Sequence, residues 1–132
     1  MIERHLPEFL DNKPHFTNLV ISEGGKTLHL SGLVASDTDG ELVGPGNLAA
    51  QMKFIYDNIR RVLAEQGATP ADVVRQRVFI VGLRLDHRPV IAAAMNAFYG
   101  DGGTAASTCV GIEALLVKGA LVEIEVTAVM YG

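Results

Sequence analysis

Few side chains in this chain could do chemistry, and they are scattered. Cys109 is the only cysteine, in Ser107-Thr108-Cys109-Val110, so no intramolecular disulfide and no multi-cysteine zinc or iron–sulfur site can form. A thiol nucleophile needs a lowered pKa and a base beside it. In this extended run Cys109 reads instead as a small apolar packing group that can also line a pocket. The four histidines, His5, His15, His29 and His87, share no helical or alternating spacing, and no metal site is expected. Gly25-Lys26-Thr27 lacks the glycine five residues upstream that a phosphate-binding loop requires, because Val20 stands there. Gly44-Pro45-Gly46 reads as a plain turn before a helix rather than an anion cradle. The carboxylates Glu123 and Glu125 alternate with apolar residues, as do the cations Arg75 and Arg77. Such charges can form cross-strand pairs, or they can bind and activate a small substrate.

These groups must be held by helices and strands that the apolar periodicity locates. One helix opens after Gly46 with Asn47 as N-cap and places Leu48, Met52, Ile55, Ile59, Val62 and Leu63 on one stripe, ending at Gly67. A second opens between Asp86 and Pro89, puts Ile91, Ala94, Met95 and Phe98 on one face, and ends at Gly100. Strands are expected at Leu19–Ile21 and Leu28–Gly32, joined as a hairpin through Glu23–Lys26. Further strands are expected at Val73–Val81, Thr108–Ile112 and Val122–Met130. In the last of these Val122, Ile124, Val126, Ala128 and Met130 share one face, and Glu123, Glu125 and Thr127 the other. The order β-β-α-β-α-β-β describes an α+β domain with two helices on one face of a sheet. In Val73–Val81 neither alternate set is wholly polar: Val74, Val78 and Ile80 on one side, Arg75, Arg77, Phe79 and Val81 on the other. The uncovered sheet face therefore keeps apolar side chains, and a homo-oligomer is expected from pattern alone.

Composition bounds the function. The chain has 132 residues, 48% of them hydrophobic and 20% charged, with a net charge of −4. These values fit one domain over residues 1–132 and do not fit disorder. No apolar run is long enough to span a membrane, and the acidic balance offers no footprint for nucleic acid. The first residues carry acids and a proline where a signal peptide needs an apolar core. A cytoplasmic protein with neither membrane nor nucleic-acid partners is expected.

The segment Thr104–Gly132 carries Cys109-Val110-Gly111 followed by Lys118-Gly119-Ala120-Leu121-Val122-Glu123-Ile124-Glu125. It resembles the reactive-intermediate deaminase (Rid, YjgF-like, "L-PSP endoribonuclease") family. Leu30-Ser31-Gly32, Gly40-Glu41-Leu42-Val43-Gly44, Asn58-Ile59 with Val62-Leu63, Asp72-Val73-Val74 with Val78-Phe79-Ile80, and Met95-Asn96-Ala97-Phe98-Tyr99-Gly100 are similar to family segments in the same order. The resemblance implies a chorismate-mutase-like fold and a homotrimer, with small-molecule ligand sites in the intersubunit clefts. It further implies hydrolysis of enamines or imines to a carbonyl product and ammonia, without a cofactor.

Carried over residue by residue, the resemblance puts the water-activating glutamate at Glu123 and the pocket cysteine at Cys109. The family's N-terminal tyrosine falls near Phe16, and the asparagine of its second helix near Ala92. Backbone groups near Leu33 and Val34 would orient the ligand. The arginine that grips the substrate carboxylate falls on Ser107, and a serine cannot offer a bidentate charged fork. The chain is thus expected to be a divergent member. It would use Ser107 and Thr108 as hydrogen-bonding groups and act on a neutral or differently shaped substrate rather than on 2-iminobutanoate. Arg77, with Arg75 beside it, is either a relocated clamp or half of a cross-strand pair. The alternative is a non-catalytic ligand-binding or regulatory trimer of the same fold.

Overall fold

In the computed structural model, residues 1–11 and 16–132 are described. The main sheet has four strands in the order β3-β6-β4-β5: β3 (Lys26–His29), β4 (Val73–Val81), β5 (Ala106–Ile112) and β6 (Val122–Met130). β6 runs antiparallel to both of its neighbours, and β4 and β5 are parallel. The parallel pair needs a long crossover, and α2 (Arg88–Tyr99) supplies it. The other long helix, α1 (Leu48–Glu65), packs beside α2 on the same sheet face. The result is the expected α+β arrangement. Among the described residues no helix is long and apolar enough to cross a membrane.

The helices begin and end where their end signals sit. The Asn47 side chain accepts a hydrogen bond from the Ala50 N–H at 3.0 Å, satisfying one of the donors that a helix start leaves unpaired. Past the other end, Gly67 takes φ +84°, a conformation that glycine adopts without a side-chain clash. Met52, Ile55, Ile59 and Leu63 are fully buried against Val78, Ile80, Val122 and Ile124. Val62, expected on that stripe, is instead 40% exposed, since it lies at the stripe's margin. A polar residue takes part in the burial: Gln51 holds the Gly44 and Gly119 carbonyls and the Leu121 N–H.

Two sequence expectations need correction. Leu19–Ser22 (β2) and β3 do not form a hairpin, because β2 pairs with an additional N-terminal strand, β1 (Ile2–His5), in a separate two-stranded sheet. Ile2-Glu3-Arg4-His5 has too little apolar alternation to announce a strand. It is anchored through Arg4, which donates to the Thr104 and Ala71 carbonyls. The second correction concerns β4, where the pairing with β6 slips between Val73 and Arg75. Such a bulge shifts the alternation by one residue. The inward set is therefore Val73, Gln76, Val78 and Ile80 rather than one led by Val74.

Among the described residues no helix covers the far face of the sheet. That face carries Arg75, Arg77, Phe79 and Val81 of β4, their β5 partners Thr108, Val110 and Ile112, and Glu123, Glu125 and Thr127 of β6. Val110 is 40% exposed. The apolar content of this open face is the surface that the sequence pattern left unpartnered.

Candidate functional site

Strand register decides which candidate residues can meet. Ser107 stands opposite Gln76, and Cys109 opposite Val78. Both partners are buried on the helix side, so Ser107 and Cys109 face α2. Thr108 stands opposite Arg77 on the open face. Glu123 stands opposite Phe79, and Glu125 opposite Arg77, so both carboxylates also lie on the open face. Within one chain, Glu123 is therefore separated from Ser107 and Cys109 by the thickness of the sheet and by the intervening strand β4.

On the helix side, at the β5 edge, lies a cavity of about 860 Å³, a size that suits a small ligand. Ser107 and Cys109 form its floor, and Ile91, Ala92 and Met95 of α2 form one wall. Phe16 and Asn18 close another side. Their segment is fixed by Thr17, whose N–H donates to the Ala105 carbonyl and whose hydroxyl donates to the Thr104 carbonyl at 2.9 Å. Phe16, Ser107 and Cys109, expected together from sequence, thus share one cavity, and so does Ala92.

Sequence reasoning missed four polar residues of this cavity, the first of them Asp11. Arg84 and Arg88 line it just before and at the start of α2. Arg84 is tied to Asp86 through two nitrogens, at 2.9 and 3.3 Å. The Arg88 guanidinium has no hydrogen-bond or ion-pair partner among the described residues. The cations of Arg84-Leu85-Asp86-His87-Arg88 were a legible signal once α2 was placed over β5. Asn18 is the fourth, and its buried Oδ1 has no hydrogen-bond donor among the described residues. Walls around the Cys109 thiol raise its pKa by desolvation, so Cys109 is an ordinary protonated thiol near neutral pH rather than an activated nucleophile.

A buried network supports the floor. The Tyr56 and Tyr99 hydroxyls donate to Gln76 Oε1 at 2.8 and 2.7 Å, and Gln76 Nε2 donates to Ser107 Oγ at 2.9 Å. Burial pushes both phenols well above the ordinary tyrosine pKa, so both remain hydrogen-bond donors.

The open face holds the other candidates. The Glu123 carboxylate has no hydrogen-bond or ion-pair partner among the described residues, whereas Glu125 accepts from Arg77 at 2.9 Å. Arg77 is thus half of a cross-strand pair. Arg75 donates to the Thr108 hydroxyl at 2.9 Å. The Glu123 carboxyl lies against Gly32, where a β-carbon would come within 2.7 Å of the carboxyl carbon. Leu33 exchanges both of its backbone hydrogen bonds with Ile124. The Val34 N–H next to it has no partner among the described residues. Among the described residues no three of His, Cys, Asp and Glu group as metal ligands, and His15 lies outside the described residues.

Comparison with known proteins bears on this geometry. The family model for Endoribonuclease L-PSP matches residues 10–130. The crystal structure of YyfB from Yersinia pestis, a Rid-family protein of unknown function, is similar at 37% identity and TM-score 0.93 over 98% of each chain. YyfA from Yersinia pestis, also a Rid-family protein of unknown function, is similar at 27% identity and TM-score 0.70 over 90% of each chain. RidA from an Antarctic Psychrobacter is similar at 25% identity and TM-score 0.68, covering 87% of this chain and 88% of its own. Comparison with curated proteins gives no match.

Proposed function

Since the chain belongs to the Endoribonuclease L-PSP (Rid) family, we propose that residues 1–132 act as one unit of a homotrimeric hydrolase for a small enamine or imine. Each site lies in a cleft between two copies. The single observation that carries this reading is the division of the candidate residues between opposite faces of one sheet. A cavity with Phe16, Ser107 and Cys109 sits on the helix side, and Glu123 sits against Gly32 on the open side. Neither half suffices alone. A neighbouring copy docked on the apolar open face would bring its own cavity to this chain's Glu123, and oligomers close through such repeated contacts.

In this reading the substrate lies in one copy's cavity, with the Ser107 hydroxyl and the Phe16 ring against it. Glu123 of the adjacent copy takes a proton from water as the water oxygen bonds to the C=N carbon. The resulting carbinolamine takes that proton back at nitrogen, and its hydroxyl proton passes to Glu123 as the C–N bond breaks, so ammonia leaves and a carbonyl remains. An enamine enters the same path after protonation at carbon. The Glu123 carboxylate, unpaired among the described residues, is free for this role.

Ser107 in place of a charged fork favours a substrate other than 2-iminobutanoate. Arg88 supplies positive charge in the same cavity, but from an exposed side chain, where a charge pair contributes about 1 kcal/mol or less. The Ser107 substitution equally favours a second reading, a trimer that binds a small molecule without turning it over. A panel of neutral and anionic enamines and imines, generated in situ, separates the two. We expect ammonia and a carbonyl product in equal amounts from at least one neutral member. Saturable binding with no ammonia release from any member would select the non-catalytic reading.

A further inference from the structure

Ser107 sits where its hydrogen-bonding sense is dictated from behind. Gln76 is wholly buried, and its amide could in principle face either way. The two phenols settle the orientation. Tyr56 and Tyr99 are themselves buried, and each has Gln76 Oε1 as the acceptor of its hydroxyl, at 2.8 and 2.7 Å. Turning the amide would point Nε2 at both hydroxyls and leave two buried O–H groups with no acceptor there, an arrangement that folded proteins avoid. Oε1 therefore faces the phenols and Nε2 faces outward. One Nε2 hydrogen goes to Ser107 Oγ at 2.9 Å and the other to the Met95 sulfur at 3.5 Å. Ser107 Oγ is thereby an acceptor from Gln76, and its own hydrogen is left for the cavity that the residue lines.

We propose that the Tyr56–Tyr99–Gln76 network is a specificity device that keeps the Ser107 O–H from being spent on Gln76 and leaves it to donate, so that the cavity favours ligands presenting a carbonyl or carboxylate oxygen at that point. Gln76, Tyr56 and Tyr99 are positioning residues, and Ser107 is the group that touches the ligand. This inference rests on the cavity being a ligand site and is independent of whether that ligand is hydrolysed.

Two probes of opposite sense test it: propionate, which only accepts hydrogen bonds near neutral pH, and propylammonium, which only donates. Binding to the intact assembly is followed through the backbone resonances of residues 106–109. Wild type should prefer propionate. Ser107→Ala should weaken propionate binding at least about 10-fold, the usual scale of a hydrogen bond to a charged group, while Ser107→Thr keeps it. Tyr56→Phe or Tyr99→Phe alone leaves one phenol to pin the amide, and each should hold propionate within about 2-fold of wild type. The double variant frees the amide to turn and should lose most of the preference for propionate over propylammonium. A purely structural role would lower the melting temperature in proportion to the phenols removed and leave the preference unchanged. That result, or unaltered propionate binding in Ser107→Ala, or no propionate binding in wild type, overturns the proposal. Propionate selectivity without turnover of any imine would instead overturn the hydrolase reading and leave this one standing.

Discussion

Glu123→Gln is expected to lower turnover of the responsive imine by about 100-fold or more, the typical contribution of a positioned acid–base group. The melting temperature should stay within a few degrees of wild type. The large effect on rate follows from chemistry: glutamine keeps the shape of the side chain but cannot take a proton from water. The small effect on stability follows from position. Glu123 alternates with the buried Val122 and Ile124 and points to the open face. Among the described residues no hydrogen bond or ion pair depends on it. Its neighbour provides the control, because Glu125→Gln breaks the pair with Arg77 and is expected to change turnover only slightly. Steady-state ammonia release with both variants distinguishes the two positions. Equal losses in the two would mean that charge on the open face matters, and not the particular carboxylate against Gly32.

Gln76→Leu should destabilise the protein by about 3 kcal/mol, a large share of the roughly 5–15 kcal/mol that holds a domain together. Leucine is close to glutamine in volume, so packing changes little. The cost comes from the two phenols. Tyr56 and Tyr99 are each buried and donate to the same Oε1, and leaving a buried donor unpaired costs about 1–3 kcal/mol each. The Ser107 hydroxyl also loses its donor, though at the cavity a water can replace it. Chemical denaturation at one fixed protein concentration measures the loss, since assembly contributes to apparent stability. A loss under about 1 kcal/mol would mean that both hydroxyls find other partners, contrary to the geometry.

Sequence periodicity located both long helices and the strand Val122–Met130 almost to the residue, because each buries one face and carries a regular stripe. It misplaced the inward set of the strand Val73–Val81, since one bulge residue at Val74 shifts a two-residue period without altering composition. Gln76 escaped notice for the same reason, as a polar residue in the apolar set. Pattern also missed the strand Ile2–His5, whose hold on the fold comes from Arg4 reaching backbone carbonyls about a hundred and about seventy residues away.

Resemblance supplied three positions that the fold brings to one cavity, Phe16, Ser107 and Cys109, and a fourth, Glu123, that lies on the other face of the sheet. The site was not legible where only packing decides. Asn18 enters the cavity because Thr17 is clamped to Thr104 and Ala105, and Arg88 because α2 crosses above β5. Asn18 has no local signature, and the cations of Arg84-Leu85-Asp86-His87-Arg88 become one only once α2 is placed over β5. Arg77, open between two roles in the sequence, resolves into a pair with Glu125.

The division of the site between copies is tested most directly by mixing two inactive variants. Glu123→Gln spoils only the open-face half, and Ala92→Trp fills only the cavity. Each alone should form inactive assemblies. Co-assembled at equal ratio, an intact cleft arises wherever a cavity from a Glu123→Gln chain meets Glu123 from an Ala92→Trp chain, which random pairing in a closed ring makes about one cleft in four. The account predicts recovery of about one quarter of wild-type ammonia release in the mixture. A mixture no more active than its two parents would contradict it and place the complete site within a single chain.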